Sequence, residues 1–133
     1  MGMSFFDGEM KPMLDVFLLE TSQLLEQLDA ILLEAEKRGS LTGEEINGIF
    51  RVMHTTKSSS AMMGLQDLSE LAHKLEDLFD LFRGDAGKLQ GVEEETFDLV
   101  FAVSDFVRDE LKAMQSESYR PSKATELLIR IAV

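Results

Sequence analysis

Residues 67–84 read DLSELAHKLEDLFDLFRG and carry the clearest indication of the fold class. Its apolar side chains recur every third or fourth residue, the spacing that puts them on one face of an α-helix. Asp67 and Glu70 resemble a capping box at its start, and Gly84 suits its end. The apolar face consists of Leu68, Leu71, Ala72, Leu75, Leu78, Phe79 and Phe82.

The same helical period precedes this segment. It predicts a first helix from about Pro12 to Lys37 and a second from a capping box at Thr42 to about Met63. In the box, Glu45 reaches back to the cap residue. The buried face predicted for the second helix becomes small toward its end and consists of Ile46, Ile49, Phe50, Met53, Ser60 and Gly64.

The helical period also continues after Gly84. A glycine-rich loop over 84–91 leads to a fourth helix over about 92–115, whose first turn carries three glutamates that the helix dipole favours. A last helix is predicted from about Ser122, with Leu127, Leu128 and Ile131 facing inward. Strand alternation is absent and the connections are short. The sequence therefore predicts an all-α, up-and-down antiparallel four-helix bundle with an additional fifth C-terminal helix.

Composition narrows the possible functions. The 133 residues suit one domain, 1–133, and the net charge of -12 disfavours nucleic acid and anionic membranes as partners. No cysteine is present, which excludes disulfides and thiolate chemistry. No apolar run is long enough to span a membrane, and residues 1–4 do not resemble a secretory signal. Because Val133 follows no helix stop signal, we expect the chain to be part of something longer.

His54 is the first candidate for chemistry. On a helical wheel it lies at the edge of the apolar face of the second helix, and Ser58 and Ala61 share that edge. Small neighbours leave room for another protein to come close, so this edge is a candidate docking surface. Lys57 lies one turn beyond His54, where its ammonium can reach a negative group attached to the imidazole.

His73 and Glu76 form a second candidate pair, one turn apart on a flank of the third helix. If the second and third helices pack antiparallel, this flank meets the flank of His54. A carboxylate that accepts a hydrogen bond from one imidazole nitrogen leaves the other nitrogen unprotonated and nucleophilic. Glu76 is well placed to orient His54 in this way.

Other interpretations of these residues remain open from spacing alone. A histidine at the edge of an apolar face is often only a partly buried, hydrogen-bonded residue. A metal site is not expected, because His54 has no carboxylate three or four positions away on either side. No phosphate-binding loop, catalytic triad or dinucleotide motif is present. The eight methionines are expected in the bundle core.

Residues 54–65 read HTTKSSSAMMGL and resemble the motif of histidine phosphotransfer (HPt) domains: His-x-x-Lys-Gly, small residues, then Gly and an apolar residue. Residues 71–77, LAHKLED, are similar to a second signature found in the amino-terminal phosphotransfer domain of CheA-type chemotaxis histidine kinases. The resemblance implies that His54 accepts a phosphoryl group, with Lys57, His73 and Glu76 in support. Ser58 departs from the family pattern, which has glycine there.

The resemblance also implies partners. An ATP-dependent kinase domain would phosphorylate His54, and a response-regulator receiver domain would take the group onto an aspartate. ATP and magnesium are then expected on those partners, with no cofactor in this chain and a cytoplasmic location. A chemotaxis kinase is the first expectation. A free-standing or hybrid-kinase HPt domain in a multistep phosphorelay and a purely structural or adaptor bundle are the alternatives.

Overall fold

A computed structural model describes residues 4–131, and this part of the chain contains helices and no strand. Predictions that fall on residues 1–3, 132 and 133 lie outside it. The prediction of an all-α bundle of four long helices and a short fifth is confirmed. The helices are α1 (Met10–Arg38), α2 (Gly43–Met62), α3 (Gln66–Gly84), α4 (Glu93–Ala113) and α5 (Thr125–Arg130), with a 3₁₀ turn (Ala86–Leu89) before α4.

The apolar faces of the four long helices form one core. α2 and α3 pack most extensively, and α1 packs against both α2 and α4. Burial of each large aliphatic or aromatic side chain contributes about 1.5–3 kcal/mol. The core residues without solvent exposure are Leu28, Leu32, Ala35, Ile49, Leu71, Leu75, Phe79 and Val100.

Both ends of α2 are fixed by local hydrogen bonds. The predicted capping box is present, since Glu45 N donates to Thr42 Oγ1 (3.1 Å) and Thr42 N donates to Glu45 Oε1 (2.9 Å). At the other end, Leu65 N donates to Ser60 O and Gly64 N to Ala61 O, the two bonds of a Schellman motif. The motif requires the positive φ of Gly64 (74°).

Two expectations about the α2–α3 turn are wrong. Gly64 was predicted on the core face but is exposed, because it reverses the chain after the helix has ended. Asp67 does not cap α3, whose cap position, Leu65, has no side-chain bond. Instead Asp67 Oδ2 accepts a hydrogen bond from Ala124 N at 2.7 Å, which ties the start of α3 to the start of α5.

Two predicted element boundaries in the second half of the chain differ from those in the structure. The loop over 84–91 contains the 3₁₀ turn, which the Asp85 side chain caps by accepting from Gly87 N (3.0 Å) and which Leu89 anchors by burial. The last helix starts at Thr125 and not at Ser122, because Ser122 N is bonded to Glu110 Oε2 (3.2 Å) and not within a helical turn. A local side-chain bond explains the first difference, and a bond to a residue of α4 explains the second.

The methionines were expected in the core, and this is wrong for two of them. Met53, Met63 and Met114 are buried, but Met13 and Met62 are exposed. No helix in the described residues is long and apolar enough to cross a membrane, as predicted.

Candidate functional site

The three-residue connection between α2 and α3 makes these helices antiparallel and brings the flank of His54 against the flank of Glu76. The His54 side chain is 59% exposed, whereas that of Glu76 is only 8% exposed. The sequence prediction that these two flanks meet is confirmed. A surface imidazole therefore lies against a buried carboxylate.

Both oxygens of Glu76 have partners. Oε2 is hydrogen-bonded to His54 Nδ1, and Oε1 accepts from Lys57 Nζ at 2.6 Å. Burial alone would raise the pKa of the Glu76 carboxyl, but the hydrogen bonds from Lys57 and His54 outweigh it and hold this pKa below its ordinary value. Glu76 is thus a carboxylate at neutral pH and acts as an acceptor.

The state of Glu76 determines the tautomer of His54. Because a carboxylate can only accept, the imidazole donates through Nδ1–H. In the neutral ring, Nε2 then carries no proton and presents its lone pair. The arrangement therefore leaves Nε2 as the ring nitrogen that is able to act as a nucleophile.

The Lys57 ammonium has a partner that its spacing from His54 did not indicate. It donates to Glu76, and the Lys57 side chain is 28% exposed. Ser69 Oγ also donates to the backbone oxygen of Lys57 at 3.0 Å, which links α3 to this turn of α2. The predicted reach toward a phosphoryl group stays a prediction.

His73 lies beside this network on the outer side of α3. Its Nε2 is 3.6 Å from Asp77 Oδ2, and its side chain is 55% exposed. Within residues 4–131, His73, Glu76 and Asp77 are the one group whose potential ligand atoms lie near enough for a metal, within 4.8 Å of one another. Glu76 already serves His54 and Lys57, so we assign no metal here. The supporting role predicted for His73 stays a prediction.

The predicted docking edge next to His54 consists of small residues. Ser58 and Ala61 are both exposed on α2. Ser58 Oγ donates to His54 O at 3.3 Å and so points back toward its own helix. The hydroxyl that departs from the family pattern therefore adds little height to this surface. Its use for docking stays a prediction.

Two residues near His54 were not recognised as site residues from the sequence. The Phe50 ring lies one turn before His54, with ring centroids 6.2 Å apart and planes 16° from parallel. The Arg83 guanidinium carbon lies 3.9 Å from the centroid of the Phe50 ring. The i, i+4 spacing of Phe50 and His54 could have indicated the first contact, but nothing in the sequence indicates the second.

Fold and site together define a class of protein: a helical bundle that presents an exposed imidazole oriented by a buried carboxylate. Comparison with known proteins then gives the family. Residues 12–117 match the family described as "Hpt domain". The chain belongs to this family of histidine phosphotransfer domains.

The relatives that the chain resembles include chemotaxis proteins and a sensor histidine kinase. The chain is 37% identical to the chemotaxis protein CheA of Listeria monocytogenes over 89 residues, which is 67% of this chain and 14% of that protein. It is 31% identical to CheA of Borreliella burgdorferi over 109 residues, 82% of this chain and 12% of the relative. The sensor histidine kinase CheAY of Helicobacter pylori is 29% identical over 125 residues, covering 94% and 15% respectively. The chain thus spans about a seventh of the length of these relatives.

Proposed function

We propose that His54 accepts a phosphoryl group on Nε2 from ATP bound to a kinase domain and passes it to an aspartate of a receiver domain. The observation that carries this proposal is the hydrogen bond between His54 Nδ1 and buried Glu76, which directs the lone pair to Nε2 of a ring that is 59% exposed. Exposure is required because both the donor and the acceptor of the group are other proteins or domains.

The two transfer steps need no reactant other than ATP, His54 and the aspartate of the receiver. The Nε2 lone pair attacks the γ-phosphorus of ATP, a P–N bond forms, and the P–O bond to ADP breaks. The ring becomes positively charged as it bonds phosphorus, and the Glu76 carboxylate stabilises that charge through Nδ1–H. In the second step an aspartate oxygen attacks the same phosphorus and the P–N bond breaks. His54 returns to the neutral ring with the proton still on Nδ1.

Lys57 supplies positive charge near the transferred group. Its ammonium is held by Glu76 at 2.6 Å, one helical turn from His54. A phosphoryl group on the imidazole brings nearly two negative charges, which Lys57 is near enough to attract. The remaining charge must be offset by magnesium on the partner, because this chain has a net charge of -12. His73 and its Asp77 partner border the network and are assigned a supporting role.

The partner surface is the exposed edge of α2 around His54. In-line transfer requires the acceptor oxygen to approach to roughly 3–3.5 Å of the phosphorus, which tall side chains would prevent. Ser58 and Ala61 are small and exposed, so a receiver or kinase domain can reach the ring.

The relatives support chemotaxis as the pathway. Those compared are chemotaxis proteins CheA and a CheAY kinase, and the matched regions cover 67–94% of the chain. We therefore assign the chain to the phosphotransfer part of a CheA-type kinase, in the cytoplasm where ATP is available. A phosphorelay Hpt domain is the second candidate. The accompanying His73–Glu76 pair favours the first through its resemblance to the CheA signature.

His54→Gln tests the assignment. With ATP and a CheA-type kinase core, the unaltered chain should acquire an acid-labile, base-stable label, and His54→Gln should acquire none. His73→Gln is the matched control: it removes the other histidine and should still be labelled. Equal labelling of the His54→Gln protein and the unaltered chain would remove His54 from the role, and a lack of any label would favour an adaptor function.

A further inference from the structure

We propose that Phe50 and Arg83 are positioning residues for His54: Arg83 holds the Phe50 ring, and that ring holds the imidazole in the orientation that Glu76 requires. The inference deepens the proposed phosphotransfer at His54 and rests on it for its functional consequence. The physical contacts themselves do not depend on that function.

The first contact follows from helix geometry. Side chains of an α-helix lean toward its N-terminus, so His54 leans over the residue four positions earlier, Phe50. The two rings are 16° from parallel with centroids 6.2 Å apart, within the range of offset aromatic pairs. Phe50 therefore restricts rotation of the exposed imidazole on the side that faces the N-terminus of α2.

A hydrogen bond to Glu76 does not by itself fix a ring that is 59% exposed. The bond constrains one atom, Nδ1, while the ring can still tilt about it. A second constraint from Phe50 fixes the plane of the ring as well. Nε2 then points in one direction, which in-line attack on phosphorus requires.

Arg83 extends this arrangement to α3. Its guanidinium carbon is 3.9 Å from the Phe50 ring centroid, the geometry of a cation–π contact. Asp80 holds the same guanidinium from one turn earlier on α3, with 3.2 Å between Arg83 Nη2 and Asp80 Oδ1. Since Phe50 is only partly buried, this cation is what limits its rotation on the solvent side. α3 thus contributes to His54 twice, through Glu76 directly and through Arg83 by way of Phe50.

The test begins with the unphosphorylated chain and no kinase. In NMR spectra, the ring-proton shifts of His54 report its position against Phe50, and the ring ¹⁵N shifts report its tautomer. Arg83→Gln should move the ring-proton shifts although it does not alter either ring, and Arg83→Lys should restore them. Phe50→Leu should also reduce the excess of the Nδ1–H tautomer, and Phe50→Tyr should retain it. Unchanged His54 signals in Arg83→Gln would overturn the proposal.

The second arm measures phosphorylation by a kinase core. Arg83→Gln should lower kcat by about two- to fivefold, the equilibrium worth of an exposed cation–π contact, with KM unchanged. Lys112→Gln, which removes the same charge from α4, should leave kcat unchanged. A fall in kcat of the same size in Lys112→Gln, or a change confined to KM in Arg83→Gln, would assign the effect to net charge or docking and reject positioning. If the unaltered chain is not labelled, the proposed function fails while the NMR result still decides the contact.

Discussion

Two glutamates are buried to the same extent, but they bind different kinds of partner. Taken as whole residues, Glu76 on α3 and Glu110 on α4 are each 6% exposed. Glu76 bonds the exposed ring of His54 and the ammonium of Lys57. Glu110 accepts instead from the buried phenol of Tyr119 (2.6 Å) and from the backbone N of Ser122 (3.2 Å).

The two glutamates differ in which atoms of their hydrogen-bond partners remain available for other contacts. Burial and the hydrogen bond to Glu110 raise the pKa of Tyr119, so the phenol stays neutral, is buried, and donates a hydrogen bond to Glu110. Its bond fixes the connector between α4 and α5. The imidazole of His54 donates to Glu76 through Nδ1, and Nε2 takes no part in that bond. A buried carboxylate can therefore prepare its partner for chemistry only where that partner is exposed and keeps a second functional atom.

The largest expected effect separates the two glutamates by rate. Glu76→Gln keeps the shape but removes the charge that orients His54, so phosphorylation should slow by about 10²–10⁴-fold. Glu110→Gln, the same change at equal burial, should leave the rate unaltered and lower the melting temperature. The measurement is the initial rate of labelling with a kinase core. Equal rates in the two variants would show that burial of the charge, and not its bond to His54, is what matters.

The second-largest effect is expected from a bulky side chain placed beside His54, compared with one placed beside Glu110. Ser58→Arg raises the edge beside His54 and should slow transfer to a receiver by roughly 10²-fold, because a small displacement of the reacting atoms costs that much. Its unfolding temperature should barely change, since Ser58 is exposed. Ser122→Arg is the matched control, an exposed serine beside Glu110. Transfer at the normal rate in Ser58→Arg would move the docking surface elsewhere.

A smaller effect is expected at Tyr119, this time on stability alone. Tyr119→Phe leaves a buried oxygen of Glu110 without its phenol donor, which should cost about 1–3 kcal/mol in the free energy of unfolding. Denaturant titration followed by circular dichroism measures that cost. The rate of His54 phosphorylation should stay unaltered, and a slowed rate would mean that the two sites are coupled through the bundle.

The smallest effect is the pH dependence of stability, and it has opposite signs at the two sites. The pKa of Glu76 is lowered from 4.5, so its contribution is complete above pH 4.5 and is lost as the pH falls through the lower folded value. The pKa of Tyr119 is raised from 10.0, so its contribution is lost as the pH rises above 10.0. The difference in the free energy of unfolding between the unaltered chain and Glu76→Gln should become smaller at acid pH. The corresponding difference for Tyr119→Phe should become smaller at alkaline pH. Differences independent of pH would contradict both assignments.

Much of the molecule follows from local sequence rules. The helical period of residues 67–84 and of its neighbours requires four long amphipathic helices, because only that structure places the apolar side chains on one face. The Thr42–Glu45 capping box depends on residues three apart, so it too was predictable. His54, Lys57 and Glu76 were identified in the same way, by spacing along their helices and by the resemblance to a known motif.

Contacts between distant parts of the chain were decided only by the tertiary structure. Asp67 matched a cap pattern, yet it bonds Ala124, because the packing of α5 brings that backbone N–H within 2.7 Å. Arg83 contacts Phe50 across the α2–α3 interface, and Glu110 meets Tyr119 beyond the end of its own helix. Sequence spacing determines which residues share a helix face. The rotation and offset between two packed faces depend on the whole core, and they decide which side chains meet.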